Sequence, residues 1–145
     1  GITDYFYFLE LFIDEFLFPL FNPSSHNIVI TYVENNIVNA SKYYANISVF
    51  TSRIQSNFTI DKLSNKLKEF YNYDFKTFVS ELKKKKITLT LKQQDEWEQY
   101  FNEYKTEINK LQQQISQTDN EIDQLVYKLY GLTPEEIKIV EESIK

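Results

Sequence analysis

The chain of 145 residues has no cysteine and no methionine, two glycines, three prolines, one histidine and one tryptophan. Each scarcity removes a class of explanation. Without cysteine there is no disulfide framework and no thiolate-ligated metal. Glycine and proline are too few for the many tight turns of an all-β domain. They are also too few for a glycine-rich nucleotide-binding loop. His26 stands alone, with no cysteine and no placed carboxylate or serine, so it is not a catalytic set and reads as a loop residue. A chain without methionine that begins at Gly1 reads as an excised piece of a longer protein, with Gly1 left by tag removal.

Aromatic residues are abundant. Twelve Phe and eleven Tyr exceed what a disordered chain carries and can fill a core. The net charge is −5, but it is unevenly placed. Residues 60–92 hold nine lysines against Asp61, Glu69, Asp74 and Glu81, whereas residues 93–145 hold five lysines against twelve acids. Asn39, Asn46 and Asn57 head Asn-x-Ser/Thr sequons. In so Asn-rich a chain they read as coincidence, and the expected location is the cytoplasm.

Residues 5–21 are almost continuously apolar, from Tyr5 to Phe21, interrupted by Glu10, Asp14 and Glu15. The uncharged stretches are too short to span a bilayer, and no basic residue precedes them as in a signal peptide. A helix apolar on all sides is usually buried in its own protein. The expectation is therefore no membrane segment.

The first division is 1–33, an apolar helix followed by an extended segment. Thr3 or Asp4 can cap that helix, which runs to about Leu20. Asn22-Pro-Ser-Ser is a break, and Asn27 to Val33 is either one short strand or the start of the next helix. The second division, 34–145, is helical. Between Glu34 and Phe58 a stripe of Ile37, Ala40, Tyr44, Ile47, Thr51, Ile54 and Phe58 repeats every seven residues, the mark of helix pairing. Thr59 is the expected cap of a helix from Ile60 to Tyr73, with Leu63, Leu67 and Phe70 inward. Asp74 caps another, with Phe75, Phe78, Val79 and Leu82 inward and Lys83 to Lys86 at its end. Ile87 to Thr90 forms a link. The longest helix then runs from Leu91 to Tyr130; forty residues span roughly 60 Å. Phe101, Ile108, Ile115, Ile122 and Leu129 take one core position. Trp97, Tyr104, Leu111, Thr118 and Leu125 take the other. So narrow a stripe suits one partner helix, and residues 34–58 are the internal candidate. Gly131 ends the helix. Thr133, Pro134 and Glu136 then open a short capped helix, 134–143, with Ile137, Val140 and Ile144 on one face. The fold class is all-α: an antiparallel long-helix pair, coiled-coil-like, with shorter helices and room for one minor strand.

Residues 118–142, Thr-Asp-Asn-Glu-Ile-Asp-Gln-Leu-Val-Tyr-Lys-Leu-Tyr-Gly-Leu-Thr-Pro-Glu-Glu-Ile-Lys-Ile-Val-Glu-Glu, resemble a known tail. It is similar to the C-terminus of type IIG restriction–modification enzymes and adenine-N6 DNA methylases with a TaqI-like specificity region. Upstream, Leu63-Ser64-x-Lys66-Leu67, Lys83 to Lys86 and Glu96-Trp97-Glu98-x-Tyr100-Phe101 also look like that family. The similarity covers about Phe58 to Glu142. The family's Asn-Pro-Pro-Tyr motif is missing; Asn22-Pro23-Ser24-Ser25 lacks the aromatic that stacks on the flipped adenine. The resemblance implies a non-catalytic helical part of the DNA-recognition region. The parent enzyme would carry S-adenosylmethionine chemistry, and Mg²⁺ if it cuts. Double-stranded DNA would be met through that parent and its remaining domains. The competing reading is a coiled-coil oligomerisation or interaction module, homodimeric through helix pairing, without DNA contact.

The candidate DNA-phosphate residues are Lys83, Lys84, Lys85 and Lys86, a basic segment on an acidic chain. The plainer account is a solvated helix end that complements the dipole. Asp74 with Glu81-Leu82-Lys83 mimics a metal-dependent nuclease pattern, but those motifs sit on paired strands and this one falls on a helix. Trp97 can stack on a base, yet its place in the stripe makes it core. No catalytic residue and no metal ligand is assigned. The chain alone is expected neither to methylate nor to cut duplex DNA with S-adenosylmethionine and Mg²⁺ supplied. Turnover of either kind by the pure protein overturns this.

Overall fold

A computed structural model describes residues 23–144, and side chains from residue 27. The expected first helix, the apolar run 5–21 and the role given to Asn22 lie outside the described residues. The order of elements is α1 (Pro23–Phe58), α2 (Asn65–Lys68), a 3-10 turn (Phe70–Asn72), α3 (Phe75–Lys84), α4 (Leu91–Tyr130) and α5 (Pro134–Ile144). There is no strand among the described residues. The protein is all-α and built on the long pair α1 and α4. No helix among the described residues is long and apolar enough to cross a membrane. The chain divides into two compact units, Asn39–Gln113 and the described part of Gly1–Val38 with Gln114–Lys145.

Helix α1 starts earlier than the sequence suggests. Pro23 opens it, as proline can at a first helical position, and His26 lies in the helix rather than in a loop. Asn27 to Val33 is helix, not strand. The reason is in the burial register. Val29, Val33, Asn36, Ala40, Tyr43, Phe50 and Ile54 are buried, and half-buried Ile47 completes an unbroken 4-3 spacing. Val29 and Val33 belong to that seam, and packing overrides their weak β preference. Ile37 and Tyr44, expected inside, are exposed, and Thr51 is half-buried. Asn36, Tyr43 and Phe50, one position earlier, take their places.

In the unit Asn39–Gln113, Phe50 is the centre. Its ring lies 4.0 Å from Phe70, 5.5 Å from Tyr104, 5.9 Å from Phe78, 6.0 Å from Trp97 and 6.1 Å from Phe101, centroid to centroid. Aromatic pairs at such distances contribute about 0.5–1.5 kcal/mol each beyond area burial. Ile60, Leu63, Leu67, Leu82 and Leu89 complete the core. The expected helix 60–73 is instead a loop, one turn of α2 and a 3-10 turn. Thr59 is not a cap; its φ is 52°, a left-handed bend that ends α1. Ser64 is the cap, its Oγ accepting from Leu67 N. The inward residues Leu63, Leu67 and Phe70 are buried as the spacing predicts. On α4, Lys105 and Asn109 donate to the carbonyls of Tyr73 and Tyr71, so backbone acceptors of the irregular segment are satisfied.

Helix α4 begins and ends at the predicted residues. Thr90 Oγ1 accepts from Gln93 N, and Thr90 N donates to Gln93 Oε1, a reciprocal capping box. At the far end Gly131 has φ 60°, with Leu132 N donating to Tyr127 O and Gly131 N to Lys128 O, a Schellman stop. Of the predicted pairing residues, Phe101, Ile108, Leu111, Ile115 and Ile122 are buried, while Trp97, Tyr104 and Leu125 are half-buried. Leu129 is 37% exposed, and Val126 and Tyr127 are buried instead. The cause is geometric: a straight helix drifts about 20° per heptad from a strict seven-residue repeat. The core face therefore advances by one residue near the end of α4.

In the other unit, Val29, Val33 and Asn36 of α1 and Ile115, Ile122, Val126 and Tyr127 of α4 are buried. Asn36 Nδ2 donates to Ile115 O at 3.3 Å. Thr133 and Glu136 form the expected capping box of α5, Thr133 N to Glu136 Oε1 at 3.0 Å and Glu136 N to Thr133 Oγ1 at 3.3 Å. Helix α5 runs one residue further than expected and has no buried residue. Ile137 and Val140 are half-buried, and Ile144 is exposed. Asp123 lies half-buried. Burial first, then the charges of Asp119 and Glu141, raises its carboxyl to about 6.

A carboxyl raised on folding binds its proton more readily in the folded state. Its stabilising contribution is therefore complete below about pH 4 and lost as pH rises through about 6. Asp123→Asn should raise stability at pH 7 by about 1 kcal/mol, discounted for partial exposure, and change little at pH 4. A gain in melting temperature larger at pH 4 than at pH 7 contradicts this. Ile115→Asp places a charge in the seam and should cost about 3–5 kcal/mol. The exposed control Gln113→Asp should stay within about 0.5 kcal/mol. Equal losses in two thermal melts would refute the seam.

Candidate functional site

The lysine run lies where α3 ends. Asp74 Oδ1 accepts from Thr77 N at 2.8 Å and from Thr77 Oγ1 at 2.7 Å, which fixes the start of the helix. Those two bonds hold the Asp74 carboxyl below its usual range. Phe78 and Leu82 are buried beneath it, so the following residues are presented to solvent. Lys83, Lys84, Lys85 and Lys86 are all exposed.

The four are not equivalent. Glu81, one turn back, is buried. Its Oε1 meets Lys84 Nζ at 2.6 Å and its Oε2 accepts from Ser64 Oγ at 2.8 Å. The Lys84 contact, then the Ser64 bond, hold the Glu81 carboxyl below its usual range against the cost of burial; Lys66 adds in the same direction. A buried carboxylate needs such partners. Lys84 is therefore engaged with the fold, while Lys83, Lys85 and Lys86 make no ion pair among the described residues. Lys66, from α2, is exposed as well, its Nζ 5.8 Å from the centre of the Tyr73 ring. The spacing of Leu63-Ser64-x-Lys66-Leu67 and the run at 83–86 both lie in the sequence, but only the fold brings Ser64, Lys66, Glu81 and Lys84 together.

The backbone beyond Lys84 is also specific. Lys86 has φ 64°. Lys86 N donates to Lys83 O at 2.9 Å and Ile87 N to Leu82 O at 3.0 Å, a Schellman stop with lysine where glycine is usual. Sequence reasoning misses this, because lysine carries no signal for a left-handed position.

Asp74 is the N-cap of α3 and Glu81 is tied to Ser64 and Lys84, so neither is available for the nuclease-like pattern. Trp97 packs 5.0 Å from Phe58 and 5.8 Å from Phe78, as a core residue would. Among the described residues no group of three or more His, Cys, Asp or Glu is able to hold a metal ion. A cleft of about 390 Å³ is lined by Ile28, Val29, Leu125, Lys128 and Leu129. Among the described residues its lining holds no acidic side chain.

No curated protein and no solved structure matches the chain. Residues 22–126 match the family described as Domain of unknown function (DUF8810). That span holds α1 to α3 and most of α4, with the Phe50 cluster and the lysine end of α3. It stops at Val126, before Gly131 and α5. Since the match takes in well over half of the sequence, the chain belongs to the DUF8810 family.

Proposed function

We propose that the chain is a non-catalytic helical brace in the DNA-recognition region of a restriction–modification adenine-N6 methylase, with or without an endonuclease. The observation that carries this reading is the basic patch. Lys66 and the end of α3 place exposed lysines from two elements on a scaffold fixed by the Phe50 cluster. Phosphate oxygens of duplex DNA are the matching chemistry, because a row of ammonium groups releases condensed counterions on binding. Such contacts position a protein without reading sequence. The resemblance of residues 118–142 to a methylase tail supports the choice of parent, and there Gly131 stops α4 and Thr133 caps α5. S-adenosylmethionine and Mg²⁺ belong, on this reading, to other domains of the parent.

A second reading is a helix-pairing interaction module, homodimeric or joined to another protein, without DNA contact. The observation favouring it is α5, which leaves Ile139 66% and Ile144 53% exposed.

A salt titration separates the two. Binding of the chain to two unrelated duplexes should weaken equally as salt rises. Changing Lys83, Lys84, Lys85 and Lys86 to Gln should flatten the slope by about 0.9 for each phosphate deprived of its ammonium partner, with helix content unchanged by circular dichroism. A slope that the quadruple change leaves intact moves the chain to the interaction-module reading.

A further inference from the structure

The lysines of the patch divide by their engagement with the fold. Lys84 is held by the buried Glu81 at 2.6 Å, and Glu81 is held in turn by the cap residue of α2 at 2.8 Å. This knot ties the ends of two elements and gives one ammonium group a buried anionic partner, although the Lys84 side chain stays 67% exposed. Lys86 is the opposite case. It adopts φ 64°, which costs a residue with a Cβ more than it costs glycine. Its side chain makes no ion pair among the described residues that would offset the strain. A left-handed lysine at a Schellman position is the reverse of what stability alone selects.

Resting on the phosphate-contact reading above, we infer that Lys86, with Lys83 and Lys85, is a DNA-phosphate contact kept at a cost to stability, whereas Lys84 is a positioning residue. Glu81 and Ser64 act through Lys84 by fixing the end of α3. The run of four is thus three contacts and one anchor. Lys66, the exposed cation of α2, acts on the same Glu81 carboxylate that holds Lys84.

The test uses the full chain, a duplex of arbitrary sequence, salt titration and thermal melting. Lys86→Gly removes both the strain and the charge. It should raise the melting temperature by roughly 3 °C or more. It should also lower affinity by up to roughly eight-fold at 0.1 M salt, the factor given by a slope reduced by 0.9. Lys86→Gln should show the same reduction in slope without the thermal gain. Lys84→Ala should lower the melting temperature and leave the slope unchanged. If Lys84→Ala reduces the slope as much as Lys86→Gly, or Lys86→Gly leaves it unchanged, the division of roles is wrong although the chain binds DNA. If the unaltered chain shows no binding at low salt, the phosphate-contact reading and this inference both fall. A fall in melting temperature in Lys86→Gly also overturns the stability half of the inference.

Discussion

A helix that pairs through positions three and four apart can bury only a narrow stripe, and that constraint governs both long helices. In α1 the stripe runs through Val29, Val33, Asn36, Ala40, Tyr43, Phe50 and Ile54. So thin a seam contributes little unless some positions are large and well surrounded. Phe50 is one of the three phenylalanines fully buried among the described residues, and rings from the 3-10 turn, α3 and α4 close on it. The short elements exist to complete that surround. Phe70 and Phe78 reach Phe50 only because Ser64 and Asp74 start their segments at the right residues. The lysine end of α3 follows from the same constraint: with Phe78 and Leu82 inside, residues 83–86 have no core to join.

How much of this is legible in the sequence depends on whether a local signal or a packing choice decides each feature. Helix α4 is legible at both ends, because Thr90 with Gln93 and Gly131 are chemical stops that do not depend on the rest of the fold. So is α5, through Thr133 and Glu136. The register of α1 is half legible. Ala40, Ile47 and Ile54 fit two overlapping stripes, and hydrophobicity favours Ile37 over Asn36 where the fold takes Asn36. A buried asparagine that donates to Ile115 O is a tertiary solution, invisible to a count of apolar residues. Such a residue is best known for fixing the register of paired helices. Leu125 and Leu129 depart from expectation for a different reason: a seven-residue repeat extends past the length over which a straight helix keeps it. Helix α1 ends at Phe58, where the stripe stops, but the irregular path of 59–73 is illegible because left-handed Thr59 has no sequence signature.

The candidate site is legible as a charge cluster but not as a constructed one. A run of four lysines looks uniform in sequence. The fold makes it heterogeneous, since Glu81 is the only acid of its helix and lies one turn before Lys84 on the buried side. A carboxylate held on both oxygens keeps its charge at neutral pH, and the low value of Glu81 has the sign that adds stability above the ordinary carboxylate range and withdraws it on acidification. The carboxylate of Asp123, in the other unit, has the reverse sign. Crowded by Asp119 and Glu141, it withdraws stability as pH rises. The two responses oppose each other.

Among the described residues the least buried helix is the last one, α5. Helix α5 is shorter than isolated helices that persist in water, roughly 12–15 residues, and it buries no residue fully. Its formation therefore leans on its ends: Pro134 at the first position, acids Glu135 and Glu136 against the helix dipole, and the reciprocal bonds of Thr133 and Glu136. These local devices specify a helix without specifying what it packs against. Ile139 and Ile144 therefore stay exposed on a helix whose formation does not depend on burying them.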